Sequence, residues 1–274
     1  MLARVVERYA DLPQFLRKRM WQVWHSLILR FERVGDTTLL NYGYVPLGGD
    51  DPAPILMAED KAEQVSINLY HHCASQVALV DKDVIEVGSG RGGGASYIAR
   101  CLAPRSYIGV DLSESVVAFC NRRHKAVANL RFAFGDAEKL PFPDEQFDVV
   151  VNVESSRCYP DKQRFFREVF RVLRPGGHLL LSDMRWADDG DRLIADIEAA
   201  GLAIIRREDC TRNVVAALDA DDVRRRSLIA SKVPGVMRKA FGEFAGVKGS
   251  NRYETFRSGK MRYWTIRADK NRPG

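Results

Sequence analysis

No apolar run in this 274-residue chain approaches the ~20 residues that a membrane-spanning helix needs. Asp11 and Pro13 break the N-terminal segment before an uncharged apolar stretch can form, so no secretory signal is expected. The five cysteines, Cys73, Cys101, Cys120, Cys158 and Cys210, lack the paired spacing of a zinc site and the density of a disulfide scaffold. They read as reduced thiols of a cytoplasmic protein. Histidines and acids also lack metal-ligand spacing, so no metal is expected. There is no internal repeat and no low-complexity segment. A formal charge of +6 is modest for this length and forms no long basic tract, which leaves nucleic acid out as an expected partner.

What is present is a regular alternation. With 46% hydrophobic and 28% charged residues the composition is that of a globular protein with a sizeable core. From residue 83 onward, strand-length apolar runs alternate with segments of helical period, the pattern of a parallel sheet covered by helices on both faces. Strands are expected at 84–87, 107–110, 130–134, 147–153, 178–182, 202–205 and 261–266. Helices are expected near 95–102, 113–124, 161–173 and 191–200, the third of them stopped by Arg174-Pro175-Gly176-Gly177. The expected fold is therefore α/β, a Rossmann-like, seven-stranded, doubly wound sheet. Residues 1–60 are expected as an N-terminal helical cap, 61–210 as the core, 211–260 as a helical lid insertion, and 261–274 as the final core strand and tail. The cap segment mixes Trp21, Trp24, Leu27 and Phe31 with arginines. A helix packed on the core is the preferred reading of it, and transient membrane-surface contact is the alternative.

Gly88-Ser89-Gly90-Arg91-Gly92-Gly93 follows the first strand and opens a helix, as a nucleotide-binding turn must. By itself that turn suits a pyrophosphate or a carboxylate equally, so a nicotinamide or flavin enzyme is one alternative. The acids nearby favour a ligand with an amino group and a sulfonium, namely S-adenosylmethionine. Glu86 stands two residues before the first glycine, Asp111 ends the second strand where an acid chelates ribose hydroxyls, and Asp136 follows the third strand where it can meet the adenine amino group.

Joined to Gly135-Asp136-Ala137-Glu138, Leu140-Pro141-Phe142-Pro143 and Leu173-Arg174-Pro175-Gly176-Gly177, the segment Val84-Ile85-Glu86-Val87-Gly88-Ser89-Gly90 resembles the class I methyltransferase family. Asn68-Leu69-Tyr70-His71, Gly92-Gly93-Gly94-Ala95-Ser96-Tyr97 and Asn152-Val153-Glu154-Ser155-Ser156 are similar to mycobacterial-type lipid methyltransferases, including the phthiotriolone and phenolphthiotriolone O-methyltransferases and fatty-acid O-methyltransferases. The resemblance implies an O-methyltransferase that uses S-adenosyl-L-methionine, releases S-adenosyl-L-homocysteine and acts on a hydroxyl or carboxyl of a hydrophobic lipid or polyketide-like small molecule. C- or N-methylation of a small natural product is the alternative within enzymes, and a non-catalytic cofactor-binding regulator the alternative outside them.

The expected cofactor-binding residues are Tyr70, Glu86, Gly88, Ser89, Gly90, Asp111, Leu112, Asp136, Ala137, Glu138 and Asn152. Glu154, Arg157, Tyr159 and Tyr253 are the expected substrate contacts. Relatives often carry a histidine just after the Glu154-Ser155 step, whereas this chain has Arg157 and Cys158. Arg157 is a permanent cation and no base, so pairing with Glu154 is its expected role. Among the remaining bases, His71, His72 and Asp183, the expectation is His71 assisted by Asp183, the latter placed at the end of the fifth strand. A carboxylate acceptor would need no base at all.

Overall fold

The structure is a computed structural model and describes residues 38–48 and 53–272. The aromatic and arginine-rich segment before residue 38, expected as a helical cap, lies outside the described residues. Residues 38–48 contain no helix. They run as an irregular strap fixed by the Asn41 side chain donating to Ser66 O at 3.0 Å and by Tyr44 N donating to Val65 O at 2.9 Å.

The elements that follow are α1 (Gln64–Ala74), β1 (Asp83–Val87), α2 (Gly93–Cys101), β2 (Ser106–Asp111), α3 (Glu114–Arg123), β3 (Leu130–Phe134) and β4 (Phe147–Val153). Then come α4 (Lys162–Val172), β5 (Leu173–Trp186), α5 (Gly190–Ala199), β6 (Leu202–Asp209), α6 (Thr211–Lys232), α7 (Arg238–Ala245), α8 (Asn251–Arg257) and β7 (Met261–Lys270). The sheet order is β3-β2-β1-β4-β5-β7-β6, with β7 antiparallel to both of its neighbours and the other pairings parallel. The chain therefore reverses direction on either side of β1, and the carboxyl ends of β1, β2 and β4 open onto a common crevice. In open α/β sheets this is where ligands bind.

Alternation along the central strands explains the two apolar layers. Val149, Val151 and Leu180 face one side with Leu69, Tyr97 and Tyr107, whereas Val150, Leu179 and Leu181 face the other with Ile85, Phe165 and Phe166. Helix α4 buries Phe165, Phe166, Val169 and Val172 along one stripe, and its first turn is capped by Asp161, which accepts from Arg164 N at 2.9 Å.

Three strands run further than their apolar content indicated, β7 among them, which continues to Asp269 alongside β5 and to Lys270 alongside β6. Strand β5 begins at Leu173, directly after α4, because Leu173 pairs with Phe147 and a register irregularity between Phe147 and Val149 absorbs the Arg174–Gly177 turn. It continues to Trp186 because β7 pairs with it up to Met261. The polar residues Arg206 to Asp209 stay in β6 because this edge strand has β7 on one side only. Residues 211–257 between β6 and β7 are largely helical, as the sequence suggested.

Candidate functional site

The turn from β1 into α2 is held from below by backbone bonds. Gly88 N and Ser89 N both donate to Val110 O, at 2.8 and 3.0 Å, and Gly90 N donates to Asp111 Oδ2 at 3.2 Å. Gly88 has φ +81°, and a Cβ there would lie 2.5 Å from the Ser155 side chain, so both conformation and space require glycine. A cavity opens above the turn. It is lined by Gly88, Ser89, Gly90, Asp111, Leu112, Asp136, Ala137 and Glu138 on the core side, and by residues 38–41, Glu154, Arg157, Tyr159 and Phe244 around its rim.

Of the expected acids, Asp111 stands at the end of β2, where its carboxylate accepts from Gly90 N and, at 3.0 Å, from Ser113 N. It thereby fixes the loop at the edge of the cavity. Asp136 accepts from Glu138 N at 2.9 Å, which orders the turn after β3, and Glu138 in turn accepts from Asp161 N at 3.0 Å. Glu86 is placed differently from expectation. It is fully buried beneath the turn, does not line the cavity, and accepts from the hydroxyls of Tyr70 and Tyr107, both at 2.9 Å. Burial pushes its pKa up to about 7 against the effect of those two hydrogen bonds. Glu86 thus acts on the site through Tyr70, whose ring does line it. Gly94 permits that arrangement, because a Cβ there would meet the Tyr70 ring at 2.0 Å.

The segment after β4 forms the opposite wall. Asn152, fully buried and outside the cavity lining, donates to Val87 O at 2.9 Å and accepts from Ser156 N at 3.2 Å, tying this wall to the strand that carries the glycine turn. Tyr159 donates to Ser155 Oγ at 2.9 Å. Glu154 adopts φ +52°, a left-handed conformation unusual for a side chain larger than glycine and often found at functional sites. Its amide donates to Ser182 O at 2.8 Å, and its carbonyl accepts from Arg157, so the strained residue is clamped from both ends. The side chain accepts from Tyr42 N at 2.9 Å and from the Tyr263 hydroxyl at 3.1 Å. Burial raises the Glu154 carboxyl to about 7, although Arg157 and the two hydrogen bonds oppose it.

The expected base pair is not brought together at the cavity. His71 lies outside the lining, with Nδ1 2.8 Å from the Tyr97 hydroxyl. Asp183 is three residues short of the end of β5 and fully buried. It accepts from Ser156 Oγ at 2.7 Å and stands 3.1 Å from both Arg157 and Arg185. Burial raises its pKa, but the two guanidinium groups outweigh this and hold it below the ordinary carboxylate range, which disqualifies it as a proton acceptor. Arg157 accordingly pairs with the Asp183 carboxylate and with the Glu154 carbonyl, not with the Glu154 carboxylate. Tyr253 donates to Asp219 Oδ1 at 2.9 Å and is absent from the lining. Sequence reasoning missed Thr38 to Asn41, Arg91 and Phe244 in the wall, and Tyr42 and Tyr263 as partners of Glu154. Arg91 sits inside the glycine turn at a position the motif leaves open, whereas the others are distant in sequence from it, and none carried a spacing signal.

The Ser89 hydroxyl is buried at the turn with no hydrogen-bond partner among the described residues, and a side chain at Gly90 would point into open space. Both features suit a ligand that brings its own polar atoms down onto the loop, as the amino-acid end of S-adenosylmethionine does. The sequence matches the methyltransferase-domain family over residues 85–181. It is 39% identical to the phthiotriol/phenolphthiotriol dimycocerosates methyltransferase of Mycobacterium tuberculosis (strain ATCC 25618 / H37Rv), over 90% of each chain. The chain belongs to the S-adenosylmethionine-dependent methyltransferases. The fatty-acid O-methyltransferase of Mycolicibacterium smegmatis is also 39% identical, over 83% of this chain and 81% of its own. Among solved structures, the geranyl diphosphate C-methyltransferase of Streptomyces coelicolor A3(2), bound to S-adenosyl-L-homocysteine, superposes with a TM-score of 0.65 at 19% identity, covering 90% of this chain and 98% of its own. The cyclase SpnF superposes with a TM-score of 0.70 at 22% identity, covering 93% and 95%. At these identities the two structures speak for the fold, which hosts more than one chemistry. Among the described residues, no helix is long and apolar enough to cross a membrane.

Proposed function

We propose that this methyltransferase acts on a hydroxyl oxygen of a lipid or polyketide-like molecule, with Glu154 as general base. The observation that carries the reading is Glu154 itself. A half-buried carboxyl in the cavity wall with a pKa near 7 is half ionised at neutral pH, where a base is most effective. Bound S-adenosylmethionine supplies an electrophilic methyl group. The chain's part is to hold the acceptor, remove its proton at a Glu154 carboxylate oxygen, and exclude water. Tyr42 N–H and the Tyr263 hydroxyl orient that carboxylate, and Asp183 fixes Arg157 beside it. Gly88, Ser89 and Gly90 are assigned to the amino-acid end of the cofactor, Asp111 with Leu112 to the ribose, and Asp136 with Ala137 to the adenine. Tyr70 and Glu138 flank it, while Glu86 and Asn152 act as supports beneath.

The oily nature of the acceptor is supported by the names of the mycobacterial relatives and by a second cavity that shares Leu39, Leu40, Asn41, Arg91 and Phe244 with the first. It extends past Leu228, Ile229, Val233 and Phe241 of the α6–α7 region, enough apolar wall for an alkyl chain. The helices of 211–257 are then the lid over the acceptor. The Arg157 guanidinium in the same wall supports a second reading, in which the acceptor is a carboxylate that needs no base. Incubation with methyl-labelled cofactor and a panel of long-chain alcohols, phenols, fatty acids and amines separates these readings by mass spectrometry. The expected result is label on a hydroxyl oxygen; label confined to fatty acids favours the second reading, and label on nitrogen or carbon overturns both.

A further inference from the structure

Away from the cofactor crevice, the fold gathers three ligand-type side chains from distant parts of the chain. His72, in the last turn of α1, Glu208, near the end of β6, and Cys210, which caps the start of α6, place one ligand atom each within 4.8 Å of the others. His72 Nε2 is 3.5 Å from Glu208 Oε2 and 3.5 Å from Cys210 Sγ. Nitrogen, oxygen and sulfur ligands about 2.0–2.3 Å from a tetrahedral zinc ion stand roughly 3.3–3.7 Å from one another, so the two separations from His72 already match a coordination shell and the Glu208–Cys210 pair, within 4.8 Å, needs at most a small side-chain adjustment. His72 is oriented by stacking on Tyr44, with ring centroids 4.2 Å apart and planes 14° from parallel. Glu208 is partly exposed and gives an ion a path in from solvent.

We propose that His72, Glu208 and Cys210 form a transition-metal site of the zinc class that clips α1 to the root of α6. A mixed imidazole, carboxylate and thiolate set with three protein ligands suits Zn²⁺ and Co²⁺ better than the oxygen-preferring Mg²⁺ or Ca²⁺. Cys210 Sγ also lies 3.5 Å from Thr265 Oγ1, and the fourth coordination position falls to water. Without metal, burial keeps the Cys210 thiol protonated and pushes its pKa up. Binding therefore exchanges the thiol proton, released to water, for a metal–sulfur bond, and affinity rises with pH. Arg206 pairs with Glu208 at 2.6 Å and must share or yield that carboxylate. Because Tyr70 of α1 lines the cofactor cavity and α6 carries part of the acceptor wall, the clip couples the two sides of the site. The spacing of His72, Glu208 and Cys210 in sequence gave no hint of this, and the earlier expectation of no metal rested on spacing alone.

The test is titration of the metal-free full-length protein with Co²⁺, followed by displacement with Zn²⁺. The expected result is one equivalent of Co²⁺ with a thiolate-to-cobalt charge-transfer band and tetrahedral visible absorbance, both abolished by Zn²⁺. The band should vanish in Cys210→Ser and persist in Cys101→Ser. Glu208→Gln, on a partly exposed side chain, keeps the fold and should weaken Co²⁺ binding about tenfold or more. Melting curves of metal-free Cys210→Ser, compared with wild type, show whether that variant is folded; if it is not, the Glu208→Gln affinity decides. Absence of stoichiometric binding, a band that survives in folded Cys210→Ser, or unaltered affinity in Glu208→Gln overturns the proposal.

Discussion

Replacing Glu154 with Gln removes the proposed base while leaving an acceptor oxygen for Tyr42 N–H and the Tyr263 hydroxyl, so the wall geometry is largely kept. Loss of a positioned general base costs about 10²–10⁴ in rate, and kcat should fall by that factor while the affinity for S-adenosylhomocysteine stays within about threefold. The pH profile gives the sharper reading. With a pKa of about 7, the carboxylate is about one-tenth populated at pH 6 and about nine-tenths at pH 8. Wild-type kcat/KM with a hydroxyl acceptor should therefore rise about tenfold from pH 6 to its alkaline plateau, and this limb should disappear in Glu154→Gln. Glu86 also has a pKa of about 7, so Glu86→Gln is the necessary control, in which the limb must persist. Steady-state kinetics from pH 5.5 to 9, with labelled methyl transfer as the readout, provides the data. A Glu154→Gln enzyme with near wild-type kcat, or one that keeps the acid limb, refutes the assignment.

Glu86 gives a separate prediction for stability. Its pKa moves from 4.5 to about 7 on folding, so the folded state holds this proton more tightly than the unfolded chain. That contribution is fully present below pH 4.5 and is lost as pH rises to 7, a change of about 3 kcal/mol. Denaturant unfolding of wild type and Glu86→Gln across pH 5–8 should show wild type losing stability relative to the variant over this window; parallel curves would contradict the burial argument. Gly94→Ala drives a methyl group into the Tyr70 ring and should cost about 1–3 kcal/mol or more by thermal denaturation, together with weaker cofactor binding. Asp111→Ala removes the acceptor of Gly90 N and Ser113 N, along with the proposed ribose contact. Calorimetry should show S-adenosylhomocysteine binding weakened by about 10- to 100-fold, as expected for loss of charged hydrogen bonds worth about 1.5–3 kcal/mol.

The legible parts of this protein were those governed by local pattern. Val84 to Val87 and Phe147 to Val153 read as strands because they are buried on both faces, and the glycine turn is a local device whose conformation follows from three or four consecutive residues. The length of β5 was hidden, because its ends are made by pairing with Phe147 and with Met261 and carry no apolar run of their own. The proton chemistry was hidden for the same kind of reason. Asp183 at a strand's apparent end resembled a free acid until Arg157 and Arg185 were found on either side of it, and nothing in the sequence around Glu154 signalled a residue sealed by Tyr42 and Tyr263 from opposite ends of the chain. Glu86 stood out within the motif, but its burial beneath Tyr70, away from the cavity lining, depends on the bare surface of Gly94.

A crystal structure of the full-length protein bound to S-adenosylhomocysteine tests the central claim most directly. The account requires the amino-acid end on Gly88–Gly90, the ribose hydroxyls at Asp111, the adenine beside Asp136, and the sulfur turned toward Glu154. A nucleoside seated in another crevice, or a sulfur atom facing away from Glu154, would contradict it.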